Sequence, residues 1–154
     1  MTTETTRRRV LVASAGAAGC LILPWGVGAP ARATPADVAA KIRDVVGDAP
    51  LKRGRIKLDL PILVESANAV GVTLLVEDRL PPEARVLSFH LFAEQNPLPN
   101  VAHFHFGPRS GRPRVSTRIR LATSQTVIAV AKCADGSCWS DSVETLVALA
   151  ACLD

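Results

Sequence analysis

Residues 126–149 have the sequence TVIAVAKCADGSCWSDSVETLVAL, and this stretch decides the fold. Two runs of mostly β-branched and apolar residues, Thr126–Cys133 and Cys138–Leu149, flank the pair Asp135-Gly136. Because Asp-Gly favours the tight turns that join antiparallel strands, the stretch predicts a β-hairpin.

The chain from residue 55 up to this hairpin has the same strand character. Five more runs of alternating or β-branched residues are bounded by prolines, glycines or polar turn residues: 55–60, 70–77, 86–94, 101–107 and 115–122. With the hairpin they make seven predicted strands, and no helical pattern lies between them. The sequence therefore predicts an all-β fold, an immunoglobulin-like β-sandwich of about seven strands.

A single short helix is predicted ahead of the strands. Thr34-Pro35-Ala36-Asp37 combines a capping hydroxyl, a proline suited to the first turn and a carboxylate beside the free amides. Apolar residues then recur on one helical face, and Gly47 follows where a helix often stops. These residues are Val38, Ile42, Val45 and Val46. We expect the helix to pack across the open end of its own sheet, with docking onto a partner as the alternative.

The first 33 residues have the features of an export signal. Arg7-Arg8-Arg9 precedes a weakly hydrophobic run, and Ala31-Arg32-Ala33 supplies the small residues that a signal peptidase recognises. The sequence predicts a twin-arginine signal peptide over 1–33, export to the periplasm, and one domain over 34–154 with no membrane attachment after cleavage. A Sec signal, a membrane anchor and a lipoprotein attached at Cys20 are the alternatives.

The positive charge of the chain lies mostly in this segment. The full sequence has 18 Lys and Arg against 14 Asp and Glu. The first 33 residues contain four of the arginines and one of the glutamates, which leaves 14 basic and 13 acidic residues in 34–154. This near balance gives no basis for nucleic-acid binding.

Three cysteines remain after residue 33. Cys133 and Cys138 enclose the four residues of the predicted turn, where flanking positions can face each other at disulfide spacing. A structural disulfide is the preferred interpretation, and a redox-active pair or two reduced thiols are the alternatives. Cys152 is then an odd thiol on a tail of small residues, where it either carries a covalent group or packs with its apolar neighbours.

The chain has three histidines, and all are predicted on one outer strand face. A hairpin of the strands 86–94 and 101–107 is expected to place His90 opposite His105, with His103 beside it. Three imidazoles suggest a metal, but no fourth ligand is evident there. The preferred interpretation is therefore a polar outer face or partner surface, and no metal site is predicted.

Arg118 and Arg120 point away from the apolar side of their predicted strand. A solvated strand face is the preferred interpretation, and contact with an anionic group or a partner protein is the alternative. No catalytic triad, paired-carboxylate pocket, phosphate loop or cofactor fingerprint is evident in the sequence.

Several short motifs follow one another in order along residues 34–154. They are Lys57-Leu58-Asp59-Leu60-Pro61 with Glu65, Phe92-Ala93-Glu94-Gln95-Asn96-Pro97-Leu98-Pro99, Phe104-His105-Phe106, Ser116–Ala122 with Gln125–Ala131, and Asp135-Gly136-Ser137 with Trp139-Ser140. In this order they resemble the SoxY family of thiosulfate-oxidation carriers, over nearly the whole predicted domain.

The resemblance implies a periplasmic immunoglobulin-like subunit, exported by the twin-arginine route, that forms a heterodimer with a SoxZ-type subunit. It also implies that sulfur intermediates are held covalently on Cys152 while separate Sox enzymes load, oxidise and hydrolyse them. The chain alone is then a carrier that needs no cofactor beyond that sulfur. The alternative is a SoxY-like docking subunit that carries nothing and serves another periplasmic oxidoreductase.

The tail departs from the family pattern. The family cysteine is usually flanked by paired glycines, whereas here Ala150-Ala151 precede Cys152 and Leu153-Asp154 follow it. Alanine and leucine narrow the backbone freedom that glycine gives, and the Asp154 carboxylate disfavours an anionic cargo beside it. We therefore expect either that this tail serves different enzymes or that its cargo is not thiosulfate.

Overall fold

The computed structural model describes residues 32–77 and 80–149, without the side chain of Leu149. The predictions that concern residues 1–31 and Cys152 lie outside the described residues. No helix in the described ranges is long and apolar enough to cross a membrane.

One α-helix and nine strands are present in these ranges. They are α1 (Pro35–Val46), β1 (Leu51–Arg53), β2 (Ile56–Asp59), β3 (Leu63–Ser66), β4 (Val70–Val76), β5 (Val86–Ala93), β6 (Asn100–His105), β7 (Arg114–Ile119), β8 (Gln125–Cys133) and β9 (Cys138–Leu149), with single 3₁₀ turns at Ala67–Ala69 and Pro82–Ala84.

The strands form two sheets that pack face to face. The larger sheet has the order β1-β9-β8-β5-β6, with β3 also paired to β9, and the smaller has the order β2-β4-β7. Neighbours in the main path are antiparallel, but β1 and β3 run parallel to β9. All seven predicted strands are present, β1 and β3 are short additions, and the predicted all-β sandwich is confirmed.

The main core lies between the two sheets. Phe89, Leu91 and Ala93 of β5 are fully buried there, and the ring of Phe89 meets that of Phe106 edge-on, with centroids 5.1 Å apart. Burying one such side chain stabilises the fold by about 1.5–3 kcal/mol.

The start of β5 departs from the alternation that the sequence predicts. The pairing of β5 with β8 shifts between Val86 and Ser88, so Val86 is buried in the core, whereas Leu87 is only half-buried and is no member of it. Alternation along Leu87, Phe89, Leu91 and Ala93 predicts that Leu87 shares their core face. That prediction is wrong, because a bulge inserts an extra residue and reverses the faces beyond it.

The helix α1 begins and ends where the sequence predicts. The Thr34 hydroxyl accepts a hydrogen bond from the Asp37 amide at 3.2 Å, and the Asp37 carboxylate accepts one from the Thr34 amide at 2.8 Å. Gly47 ends the helix with φ of +64°, in the left-handed region that glycine adopts without strain.

The position of α1 differs from the prediction. Val38 and Val46 pack against Phe92, Val130 and Cys138 on the outer face of the larger sheet, so the helix does not cover the open end of the sandwich. The reason lies in β5 and β8, which have apolar side chains on both faces and must therefore be covered on both.

Candidate functional site

The end of β9 is held firmly on both edges. On one edge the Leu146 amide donates a hydrogen bond to the Ile62 carbonyl at 2.7 Å, and β3 stays paired with β9 as far as Leu149. On the other edge the Val147 amide donates to the Ser124 hydroxyl at 2.8 Å. The strand is thus fixed up to the last described residue.

A network of buried amides lies at the same end of the sandwich. Asn96 accepts hydrogen bonds from the Ala122 amide at 2.8 Å and from the Gln125 side chain at 2.9 Å, and donates to the Arg120 carbonyl at 3.0 Å. The Gln125 side chain in turn accepts from the Gln95 amide at 2.8 Å. Both side chains are buried, so the network ties the loops after β5 and β7 into one rigid platform.

The sequence did not identify Asn96 and Gln125 as structural residues. The available signal was Asn96 beside Pro97, in a loop whose neighbouring prolines cannot donate backbone hydrogen bonds. A loop of this kind needs side chains to satisfy buried backbone groups, and an asparagine provides both a donor and acceptors.

Arg118 and Arg120 are exposed, as predicted, and line a groove between the edges of β6 and β7. The groove has a volume of about 540 Å³, and its apolar lining includes Phe104 and Leu98. Within residues 32–77 and 80–149 the one ion pair joins two helix residues, so neither arginine pairs with a carboxylate. The arrangement offers two guanidinium groups to an anion or an acidic surface.

An exposed apolar patch lies along the edge formed by β3 and β9. Ile62 and Leu63 are each 70% exposed and Leu146 is 49% exposed. Leu63 and Leu146 are register partners, so their side chains lie next to each other on the sheet. Large apolar side chains grouped on a surface in this way are typical of an interaction site.

Cys133 and Cys138 do not form the expected disulfide, and both are buried free thiols. The Cys133 amide donates a hydrogen bond to the Ser137 carbonyl at 2.9 Å, so the loop between the strands has three residues, 134–136, instead of the predicted four, with Gly136 at φ +80°. Cys138 is therefore paired with Lys132 and not with Cys133. A shift of one residue reverses the face of a side chain. The Cys133 thiol accordingly lies in the core between the sheets, and the Cys138 thiol lies under α1.

Burial also determines the acidity of these two thiols. It raises the pKa of Cys133, with smaller contributions from Asp135 and Cys138 in the same direction. Burial likewise raises the pKa of Cys138. Both side chains are therefore protonated and poorly nucleophilic at neutral pH, which removes them as carriers of a covalent group.

The three histidines share one outer face, as predicted, but in a different register. His90 is paired with His103, and Ser88 is paired with His105, so the prediction that His90 faces His105 was wrong by two residues. A shift of two preserves the face, which is why the grouping itself is correct. Burial, together with the charges of His103, His105 and Lys132, lowers the pKa of His90.

The imidazole rings lie near one another without forming a closed ligand set. Their centroids are 5.5 Å apart for His103 and His105, 6.2 Å for His90 and His103, and 6.3 Å for His90 and His105. In the part of the chain that the structure describes, no group of three or more His, Cys, Asp or Glu side chains is arranged to hold a metal ion.

Comparison with family models identifies the family to which the chain belongs. The family model for sulfur oxidation protein SoxY matches residues 42–152, which includes the whole sandwich from β1 to β9. The chain belongs to the SoxY family. It is thus related to a family of sulfur-oxidation carrier subunits, and the matched stretch extends to Cys152. No curated protein matches the chain significantly.

Solved structures with the same architecture include several superoxide reductases. A variant of the enzyme from Ignicoccus hospitalis has a TM-score of 0.53 at 22% identity and aligns over 60% of this chain and 78% of its own. A superoxide reductase structure from Thermotoga maritima has a TM-score of 0.53 at 18% identity, over 64% and 93% of the two chains. At these identities the likeness shows a shared fold alone.

Proposed function

We propose that this chain is a periplasmic sulfur carrier of the thiosulfate-oxidation pathway, which holds its cargo covalently on Cys152. The observation that carries the proposal is the extent of the SoxY match, which continues to Cys152 beyond the end of a strand fixed on both edges. Cys152 follows Leu149, the last described residue of that strand, by three residues, and three residues of chain reach at most about 10 Å, a reach that fits presentation of a thiol to another protein.

The chemistry of loading requires separate enzymes. When the Cys152 thiol joins the outer sulfur of thiosulfate, a sulfur–sulfur bond forms and the thiol loses one proton. Two electrons must leave at the same time, and they pass to an electron-accepting partner enzyme. Hydrolysis of the resulting thiosulfonate releases sulfate and leaves a sulfane sulfur on the cysteine. The carrier supplies a nucleophile and a tether in this scheme.

The environments of Cys133 and Cys138 support Cys152 as the attachment point. The other two cysteines of the domain are buried, one between the sheets and one under α1, and burial raises the pKa of both. A carrier thiol has to be accessible and able to ionise. Among the three cysteines of residues 34–154, Cys152 is then the one left for the carrier role.

Arg118 and Arg120 fit a role beside the anionic cargo or an acidic partner surface. Neither has a carboxylate partner within the described ranges, and they lie at the edge that runs toward the Asn96 platform. Guanidinium groups bind sulfonate-like oxygens through charge-assisted hydrogen bonds.

A SoxZ-type subunit is the proposed permanent partner, and Sox enzymes are proposed as transient partners. The apolar patch of Ile62, Leu63 and Leu146 is the surface that best fits a lasting contact, because burying it removes large exposed side chains from water. Its position beside the end of β9 would place the partner close to the carrier tail.

The proposal is tested by reconstituting thiosulfate-dependent electron transfer with the other Sox proteins. We expect Cys152→Ser to abolish electron transfer, because serine cannot form the sulfur–sulfur bond. The matched control is Cys138→Ala, which removes a buried thiol and should retain the activity.

The second candidate is a docking subunit that carries nothing, and the tail sequence Ala-Ala-Cys-Leu-Asp in place of glycine-flanked cysteine favours it. The same experiment separates the two. Electron transfer at the wild-type rate with Cys152→Ser would reject the carrier and favour the docking subunit.

A further inference from the structure

Strand β6 is an edge of the larger sheet that lacks the usual protection against pairing. In the described residues it is paired with β5 on one side and with no strand on the other. Natural sheets block such edges with charged residues, prolines or very short strands. The other edge strands, β1, β2, β3 and β7, each contain a charged residue, for example Lys52, Lys57, Glu65 and Arg114. The six residues of β6, Asn100–His105, include no lysine, arginine, acidic residue or proline.

The register of β6 shows which of its backbone groups face outward. The Phe106 amide donates a hydrogen bond to the Leu87 carbonyl at 2.8 Å, and these residues continue the pairing of β6 with β5. Hydrogen-bonded and non-hydrogen-bonded pairs alternate along antiparallel strands. The backbone groups of Phe104 therefore face β5, whereas those of His103 and His105 face away from it. The open edge thus presents two amide donors and two carbonyl acceptors at strand spacing.

A groove with apolar and positively charged walls runs along this edge. Phe104 and Leu98 supply apolar side chains to it, and Leu98 is 76% exposed. Arg118 and Arg120 line it from the side of β7, and neither has a carboxylate partner in the described ranges. Side chains of a strand added to β6 would alternate between the groove and the outer face. Those in the groove would contact apolar surface and guanidinium groups together.

We propose that β6 accepts an extended acidic segment of a partner protein as an additional strand of the larger sheet. Backbone hydrogen bonds to His103 and His105 hold the segment, and Arg118 and Arg120 bind its acidic side chains. A strand as long as β6 spans about 20 Å, so a segment of about six residues fills the edge. This docking site takes up the proposed contact of the arginines with an acidic partner, and it uses neither Cys152 nor the apolar patch.

The charge of the groove disfavours a second copy of this chain as the occupant. Pairing two β6 edges would bring Arg118 and Arg120 of both copies toward one another, and like charges repel. An acidic segment instead gives each guanidinium group an oppositely charged partner.

The probe that tests the docking site is a capped peptide of alternating glutamate and valine, as long as β6, added to the isotope-labelled protein. We expect binding to shift the NMR signals of the His103 and His105 amides. At saturating peptide their hydrogen exchange should slow by about 10-fold or more, because each amide gains a carbonyl acceptor. The same peptide with lysine in place of glutamate should not bind.

Variants of the groove and of the edge separate its two contributions. Arg118→Gln combined with Arg120→Gln should weaken peptide binding about 10-fold or more, because two charge-assisted contacts are lost. The matched control is Arg114→Gln, which changes an exposed arginine of the same strand outside the groove and should retain binding. His103→Pro should abolish binding, because proline removes a donor at the open edge without breaking a hydrogen bond to β5. Its thermal unfolding should stay close to that of the wild type.

Absence of peptide binding at millimolar concentration would overturn the proposal. So would equal binding by the double arginine variant and by Arg114→Gln. Slow exchange of the same amides without peptide, increasing with protein concentration, would overturn it in favour of a second copy. Cys152→Ser should bind the peptide as the wild type does although it carries no sulfur, so failure of docking and failure of the carrier function are distinguishable.

Discussion

The positions of Cys133 and Cys138 show how one residue of loop length determines the environment of a side chain. Asp135-Gly136 was recognised as a turn from the sequence, and the hairpin is present. The sequence did not decide between turn geometries, because Asp-Gly suits several of them. The structure has Gly136 in the left-handed region, which removes one loop position and separates the two thiols onto opposite faces.

Counting accessible thiols tests this correction. In residues 34–154 purified without reductant, we expect one alkylated cysteine at neutral pH in the native state, at Cys152. Burial keeps Cys133 and Cys138 protonated and out of contact with the reagent. In denaturant, still without reductant, we expect three, counted by mass spectrometry.

A disulfide between Cys133 and Cys138 would limit the count in denaturant to one. No label at all in the native state would mean that Cys152 is packed away, contrary to the carrier proposal.

The polar residues of the site were predictable to different degrees. The exposure of Arg118 and Arg120 followed directly from the alternation of their strand, in which the apolar Ile119 lies between them. In the structure Ile119 is buried. The role of Asn96 was not predictable in the same way. Its hydrogen bonds reach groups more than 20 residues away in sequence, and such contacts leave no periodic signal.

Strand β5 explains why the helix was predicted at the wrong place. Phe89 and Phe92 are both fully buried, one toward the smaller sheet and the other toward α1. A strand with apolar side chains on both faces has to be covered by other elements on both sides. Residues 91–93 of β5 have this character. The helix itself followed from local rules, since its cap and its apolar face depend on neighbouring residues only.

The β8–β9 hairpin makes a prediction about glycine. A Cβ at Gly136 or at Gly71 would meet no atom within 4 Å, but Gly136 has φ of +80°. We expect Gly136→Ala to lower the free energy of unfolding by about 1–2 kcal/mol, because an alanine in the left-handed region is strained. Gly71→Ala, in open space at an ordinary strand conformation, should be neutral or stabilising by up to about 1 kcal/mol.

Urea unfolding of the two variants and the wild type measures the difference. Equal stability of Gly136→Ala and Gly71→Ala would contradict the turn geometry, and with it the register that separates the two buried cysteines.

The sandwich as a whole has one end at which three of the features described above lie together. The end of β9, the Asn96 platform and the apolar patch are held together by hydrogen bonds between distant parts of the chain.

The seven main strands were predictable from alternation. The short strands β1 and β3 were not, because three or four residues are too few to show a period, and both depend on pairing with β9.

The apolar patch predicts where a SoxZ-type subunit binds. We expect Leu63→Lys to weaken the heterodimer at least 10-fold, because the substitution places a charge in the centre of an apolar contact. Leu51→Lys is the matched control, since Leu51 is 38% exposed, is paired with Cys138 at the other end of β9, and does not belong to the patch. Sedimentation of the two chains together measures the effect. Undiminished association of Leu63→Lys, or an equal loss of affinity with both variants, would show that the interface lies elsewhere.

The intact mass of the protein during thiosulfate oxidation tests most directly whether Cys152 is the carrier. We expect a fraction of the molecules to have added sulfur, as sulfane or thiosulfonate groups, on the peptide that contains Cys152. Reductant should remove the addition, and Cys152→Ser should never acquire it. An unmodified Cys152 peptide while thiosulfate is being consumed would contradict the carrier function.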